Sequence, residues 1–370
     1  MYLNTGKIPY VNIRKLIVLF GCLFLMLIPS KMAIAQHETE HMDSAENKFN
    51  PGPFIFDHIG DAYEWHIATF GHTHISLPLP VIVCSKDKGL NVFMSSKFHH
   101  GQEAYLGFKI DTDEASPNKG KIVEILLDGS MVRPFDISIT KNVAALFFSV
   151  ALLLFIFISV ANSYKRNKGK APKGMQSFME PLILFVRDDI AKASIQHPEK
   201  YMPYLLSVFF FIFLNNLLGL VPIIPGGANL TGNIAVTLVL ALITFTITTV
   251  NGNKNYWTHM VNAPGVPWWL KLPVPLMPIV EILSMFTKPF VLMVRLFANI
   301  TAGHIIALGF YSLIFIFGQK SIYAGYGISI VSILFTIFMM MLELLVAFIQ
   351  AYVFTLLSAL YFGMATEEHH

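Results

Sequence analysis

The sequence is short of charge. Only 13% of its 370 residues are Asp, Glu, Lys or Arg, about half the roughly 25% of a soluble globular domain, while 54% are hydrophobic, with 32 Phe and 17 Met. So few charges cannot cover a water-exposed surface, which excludes a string of ordinary soluble domains and points to a bundle of membrane helices. The cation excess is also small: 26 Lys and Arg against 23 Asp and Glu give a formal net charge of +3, too little for a nucleic-acid partner. Basic residues are better read as markers of membrane topology. Cysteine is nearly absent, and with only Cys22 and Cys84 a disulfide framework is excluded. No G-x-x-x-x-G-K-S/T run occurs, so the phosphate cradle that would bind ATP is missing.

What is present begins with Lys7, Arg14 and Lys15 ahead of an apolar run from Leu16 to Ile28, followed by Ala33-Ile34-Ala35, the small-x-small pattern of a signal-peptidase site. Residues 1–35 read as a signal peptide cleaved after Ala35, which removes Cys22 and leaves Cys84 without an internal partner. Residues 36–140 are polar and turn-rich, with short apolar stretches at Ile75 to Val83, Ile122 to Leu127 and Phe135 to Thr140. They read as a small exported β-rich domain, periplasmic in a bacterium. Within it His37-Glu38-Thr39-Glu40-His41 matches the H-E-x-x-H zinc-protease pattern. That chemistry needs both imidazoles on one face of a stable helix, and no apolar stripe is there to dock one, so a solvated tail is the expectation. His58, His66, His72, His74, His99 and His100 follow no ligand frame, and no metal or cofactor is expected.

From Val143 to Ala161 an uncharged run of bilayer-spanning length is followed by Lys165, Arg166, Lys168, Lys170 and Lys173, a cluster assigned to the cytoplasm. Met175 to Lys192 mixes apolar residues with Arg187, Asp188, Asp189 and Lys192, which suits an amphipathic helix on the cytoplasmic surface. Further spans are expected from Tyr204 to Pro222 and from Asn233 to Val250, joined through Pro225-Gly226-Gly227. Two longer apolar segments, Leu276 to Phe317 and Ile328 to Gly363, exceed the roughly 20 residues a perpendicular span needs and must tilt, bend or run along the membrane. The fold class is therefore an all-α integral membrane bundle of about five membrane helices, the last two long and tilted, plus the β-rich exported domain. The domains divide at residues 1–35, 36–140 and 141–370.

The long segments carry Glu281, Lys288, Arg295, His304 and Glu343, each costing about 2.5–3.5 kcal/mol or more at mid-membrane if charged. Lys288, near a helix start, can snorkel. Arg295 and Glu343 lie too deep for that and argue for an ion path. In an antiparallel hairpin whose loop, Gly318 to Gly327, is centred between positions 322 and 323, Arg295 reaches the depth of Gln350 and His304 that of Glu343. His304 is then nine residues, or roughly 13 Å, outward of Arg295, on the opposite face of a straight helix. A bend near Gly303, or a route between helices, reconciles the two. A self-contained transporter would show inverted repeats or helices broken by Gly or Pro in matching halves, and neither is seen. An intramembrane enzyme lacks paired acids or a Ser-His frame here.

Lys288-Pro289, Arg295-Leu296-Phe297-Ala298-Asn299 and Ala302-Gly303 resemble the signature of the F-type ATP synthase subunit a family. Asn215-Asn216-Leu217, Glu343 seven before Gln350, and Met364-Ala365-Thr366-Glu367-Glu368-His369 add to the likeness, which covers residues 143–370. The chain departs from one common bacterial pattern, in which an acid occupies the position of His304 and a histidine that of Glu343; the pair is kept with its members exchanged. The resemblance implies a non-catalytic proton-channel stator in the bacterial inner membrane, with a periplasmic N-terminal domain and a cytoplasmic C-terminus. Its partners would be a ring of carboxyl-bearing c subunits, the b-subunit peripheral stalk, the remaining ATP synthase subunits and the lipid bilayer. Two offset half-channels would serve the ring, with Arg295 as their separator. Asn216, Asn299, His304, Glu343 and Gln350 would line the outer half and Glu281 the inner one.

Overall fold

The computed structural model describes residues 50–367, apart from 71–72, 100, 114–115, 127–128, 222–226 and 262–275. The expected signal peptide, the H-E-x-x-H run, His72, His100, Pro222, Pro225-Gly226 and Glu368-His369 lie outside the described residues. The chain forms two compact units. One comprises Asn50–Val150 with Leu218–Leu230, the other Ala151–Leu217 with Thr231–His370.

The first unit opens with α1 (Pro51–Ile59), whose start is capped by Asn50 Oδ1 accepting from Gly52 N at 3.1 Å. Among the described residues eight short strands follow: β1 (Glu64–Phe70), β2 (Thr73–Pro78), β3 (Pro80–Ser85), β4 (Gly89–Met94), β5 (Phe108–Ile110), β6 (Ile122–Ile125), β7 (Met131–Val132) and β8 (Phe135–Asp136). They pair antiparallel as a β1-β2 ribbon and two three-stranded sheets, ordered β4-β3-β8 and β5-β6-β7. The expected single stretch Ile75 to Val83 is split in two, because Pro78 and Pro80 lack the N–H a continuous ladder needs. Leu79 between them bonds Ser95 instead, donating to its Oγ and accepting from its N, each at 3.0 Å. Alternation along β3 sends Val81 and Val83 inward, where they pack with Tyr63, Phe98, Phe108 and Ile122. Tyr63 donates to Asp136 Oδ2 at 2.5 Å, tying this core to β8.

Directly after β8 the chain enters α2 (Lys141–Arg166), which contains the expected first span. The backbone of α2's first turn is anchored by its own unit: Lys141 N donates to Ala62 O at 2.8 Å and Asn142 N to Asp61 Oδ1 at 3.0 Å. Trp65 packs on Ala145 and on Ala228 of the 218–230 connection.

The second unit is helical. The expected surface helix is α3 (Met175–Phe185), continued by a π-helical turn at Val186–Ala191 and by Lys192–Ser194. Its inner face buries Met179, Val186, Ile190 and Ala191, and its Phe185 ring packs on Phe209, Phe348 and Tyr352. On the polar side Arg187 and Lys192 both bind Asp188 and hold its carboxyl below the usual carboxylate range. Next come α4 (Met202–Leu220), α5 (Ile234–Val250), whose start is capped by Asn233, and α6 (Lys254–Val261). Helices α7 (Leu276–Lys320) and α8 (Ile322–Thr366) have 45 residues each, or roughly 68 Å at helical rise against a hydrocarbon core of about 30 Å. Among the described residues α2, α4, α7 and α8 are long and apolar enough to cross a membrane, and α5 is a shorter apolar helix.

The expected loop Gly318 to Gly327 is not formed. Ser321 alone separates α7 from α8. The glycines serve a close crossing instead: a Cβ on Gly325 would sit 2.8 Å from Gly318 Cα. The hairpin is antiparallel, with Phe310 stacked on Phe335 at 5.1 Å between centroids.

Candidate functional site within the long helical hairpin

Helix periodicity puts Glu343, Ala347, Gln350 and Phe354 on one face of α8, and all four are buried, whereas Leu344, Leu345 and Ile349 are exposed. Facing this stripe, His304 Nδ1 of α7 lies 3.6 Å from Glu343 Oε1. The equal-depth pairing expected for these two residues is therefore met, although the connection is tighter than the loop from which it was reckoned. Room for the carboxylate comes from the neighbour of His304: a Cβ on Gly303 would meet Glu343 Oε1 at 2.6 Å. Glu343 Oε1 is buried and accepts no hydrogen bond among the described residues. A buried ionisable oxygen without that satisfaction is costly unless it exchanges protons or meets a mobile partner.

One turn along α8, Ala347 O accepts from Asn216 Nδ2 at 3.3 Å, and Asn216 Oδ1 accepts from Thr231 Oγ1 at 2.6 Å. Asn216 thus joins α4, α8 and the residue that leads into α5. Its neighbour Asn215 turns back on its own helix, donating to Phe211 O at 2.7 Å. Thr231 is a member of this cluster that the sequence did not reveal, since a lone threonine near a turn carries no periodic signal.

Arg295 occupies a different surface. On α7, Leu292, Leu296 and Ile300 are buried, while Val291, Val294, Arg295, Ala298, Asn299 and Ala302 are exposed. Arg295 makes no hydrogen bond or ion pair among the described residues. Gln350, expected at the same depth, is buried, so these two differ in environment as well as in helix. Asn299 shares the exposed stripe with Arg295, one turn on.

A second polar cluster lies toward the other end of α7. Lys288 Nζ stands 5.6 Å from the centroid of the Tyr361 ring. Both border a small cavity with Thr244, Thr248 and Tyr256. Burial, and then the Glu281 carboxylate, push the Tyr256 phenol up. Beneath, the Tyr204 and Thr244 hydroxyls are 2.6 Å apart, with Ser358 Oγ 3.4 Å from Thr244 Oγ1. Along α7, Arg295 falls between this cluster and the His304–Glu343 pair. The arrangement offers two groups of exchangeable protons on either side of an exposed, permanently charged guanidinium.

Two stretches of the chain match known families. Residues 143–363 match the family model described as ATP synthase A chain, and residues 54–138 match one described as a domain of unknown function. The chain is 46% identical to ATP synthase subunit a of Chloroherpeton thalassium over 64% of its own length and 69% of the relative's. It is 48% identical to ATP synthase subunit a 2 of Prosthecochloris aestuarii, covering 66% and 73%, and 42% identical to ATP synthase subunit a of Myxococcus xanthus, covering 68% and 79%. With the family model spanning more than half of its residues, the chain belongs to the F-type ATP synthase subunit a family.

Proposed function

We propose that this chain is the proton-conducting stator of a rotary ATP synthase and that Arg295 separates two half-channels serving the rotor carboxylates. The observation that carries the reading is Arg295, exposed and without a hydrogen bond or ion pair among the described residues, standing along α7 between the Lys288–Tyr361 cluster and the His304–Glu343 pair. A carboxyl of a neighbouring rotor subunit can reach such a cation. Arg295 keeps its charge at any relevant pH, so it stabilises the carboxylate anion and cannot itself pass a proton. Asn299, His304, Glu343, Gln350 and Asn216 form the outer half of the route, with Thr231 orienting Asn216. Glu281 belongs to the inner half. Each proton moved through 100 mV supplies roughly 2.3 kcal/mol to rotation. The ion is read as H⁺, because an imidazole in the route has no advantage for sodium. ATP is made in other subunits, and this chain is not catalytic.

The same reading places the chain in a bacterial inner membrane with the Lys165–Lys173 cluster in the cytoplasm. The α4–α5 connection and the α7–α8 turn are then outside and the C-terminus inside. The β-rich unit is exported behind its signal peptide. Its inclusion of the 218–230 connection and of the start of α2 supports this, since both lie at the outer ends of their helices. On the other side, Asn253 N donates to Ala365 O at 2.9 Å and Lys200 Nζ to Asn251 Oδ1 at 2.5 Å, gathering three inner ends.

The test is ATP-driven proton pumping by vesicles carrying Arg295→Ala, with copurification of the rotor ring and stalk subunits measured in the same preparation. An assembled complex that no longer pumps supports the separator role. Pumping at the parental rate would make Arg295 structural and the mechanism wrong.

A further inference from the structure

The β4-β3-β8 sheet has two unlike faces. Val81, Val83 and Ser85 of β3 are buried in the core of their unit. The opposite face is formed by cross-strand neighbours: Cys84 pairs with Leu90 and Phe135, Ile82 with Val92, and Pro80 with Met94. Ile137 joins through its N–H to Ile82 O at 2.9 Å. Leu90, Val92, Met94, Phe135 and Ile137 are 43–66% exposed. An apolar sheet face left open to water is a site of association.

We infer that this face rests on the outer leaflet of the bilayer, anchoring the β-rich unit to the lipid surface beside the first span. Two observations select lipid over a protein partner. First, the chain runs from this face directly into a membrane helix. Ile137 is four residues before Lys141, where α2 starts, and the exposed Phe147 and Phe148 follow within the next two turns of the same compact unit. The backbone between is fixed, since Ile139 N bonds Pro80 O at 3.0 Å and Lys141 N bonds Ala62 O at 2.8 Å. Second, among the described residues the face offers no hydrogen-bonding side chain beyond the thiol of Cys84. A specific protein interface carries about one hydrogen bond per 100–200 Å². Lipid asks for none, and tethering through α2 lets a small apolar contact hold at high effective concentration.

Cys84 sits at the centre of the face and reports on it without a new substitution there. The complex, with Cys22→Ser so that Cys84 is the only thiol of this chain, is modified in detergent with an environment-sensitive fluorophore, and the labelling of this chain is checked by gel. It is then reconstituted in phosphatidylethanolamine/phosphatidylglycerol vesicles with or without a lipid nitroxide near the head group. We expect the emission to be blue-shifted and quenched about two-fold or more, as for a group about 5–10 Å into the interface. In a Cys84→Ser background, a label at Asn118→Cys, on the turn between β5 and β6, stays in water and is unquenched. A label at Val92→Cys in the same background serves as a second reporter on the face. Water-like, unquenched emission at Cys84 and at position 92 overturns the inference, and blue-shifted emission without lipid quenching overturns it in favour of a protein partner.

Discussion

Gly303→Ala adds a single methyl where the structure has least room for it. That Cβ would lie 2.6 Å from Glu343 Oε1, 3.2 Å from Cγ and 3.3 Å from Cδ. A carbon–oxygen contact relaxes at about 3.3 Å or more, so the carboxylate must retreat by about 0.7 Å. The atoms struck belong to a side chain, so the helices can keep their positions. Alanine also favours helix over glycine by roughly 0.5–1 kcal/mol, which offsets part of the strain of the added methyl. What changes is the His304–Glu343 contact, which at 3.6 Å is already near the limit of about 4 Å for an ion pair. A misplacement of about 1 Å at a positioned reacting group costs about 100-fold, so proton conduction should fall by about 10- to 100-fold. The assay is passive proton uptake into vesicles stripped of the catalytic sector, driven by a potassium diffusion potential and normalised to assembled rotor ring. Parental conduction by a fully assembled Gly303→Ala complex would show that the position of the Glu343 carboxylate is not used.

Gly325→Ala should be worse for assembly than for conduction per complex, because its Cβ meets backbone, Gly318 Cα at 2.8 Å, and α7 must part from α8 at the turn; the amount of complex recovered from membranes measures it. In the β-rich unit, burial and then the Asp136 carboxylate push the Tyr63 phenol far up. The folded state therefore holds that proton more tightly than the unfolded chain. The stability this contributes is complete below about pH 10, the ordinary phenol value, and is lost as pH rises beyond it. Protease cleavage of the unit in intact vesicles should accelerate above pH 10, and Tyr63→Phe should weaken that dependence while costing about 1–3 kcal/mol at neutral pH.

The membrane helices were legible because an uncharged run of bilayer length has few other uses, and Arg295 and Glu343 stood out because lipid makes such residues expensive. The His304–Glu343 pairing was legible from hairpin geometry alone. Its basis was partly mistaken, since Gly318 and Gly325 permit close helix contact where a turn was expected. Tertiary demands hid the rest. Pro78 and Pro80 divide the apolar stretch Ile75 to Val83 between two strands. The π turn after Phe185 inserts a residue into the expected surface helix. Thr231 and the Tyr204–Thr244–Ser358 hydroxyls matter only through partners far away in sequence. Which face of α7 carries Arg295 could not be read either, because apolar residues surround it on both the packed and the exposed sides.

Whether His304 and Glu343 act as a unit or as two separate relays is decided by exchanging them. His304→Glu alone places two carboxylates at a contact of 3.6 Å, and Glu343→His alone places two imidazoles there. Like groups this close cannot both be charged, so each single change should disable the relay. The double exchange restores one acid and one base at the same depth. If the pair is the working unit, the two losses are not additive, and the double variant should conduct about 10-fold or more better than either single one. Recovery should nonetheless be incomplete, because the space left by Gly303 fits a carboxylate oxygen and an imidazole is broader. The measurement is again proton conduction per assembled rotor ring. Losses that simply multiply in the double variant would mean that His304 and Glu343 serve the route independently, and that their contact in the structure is packing alone.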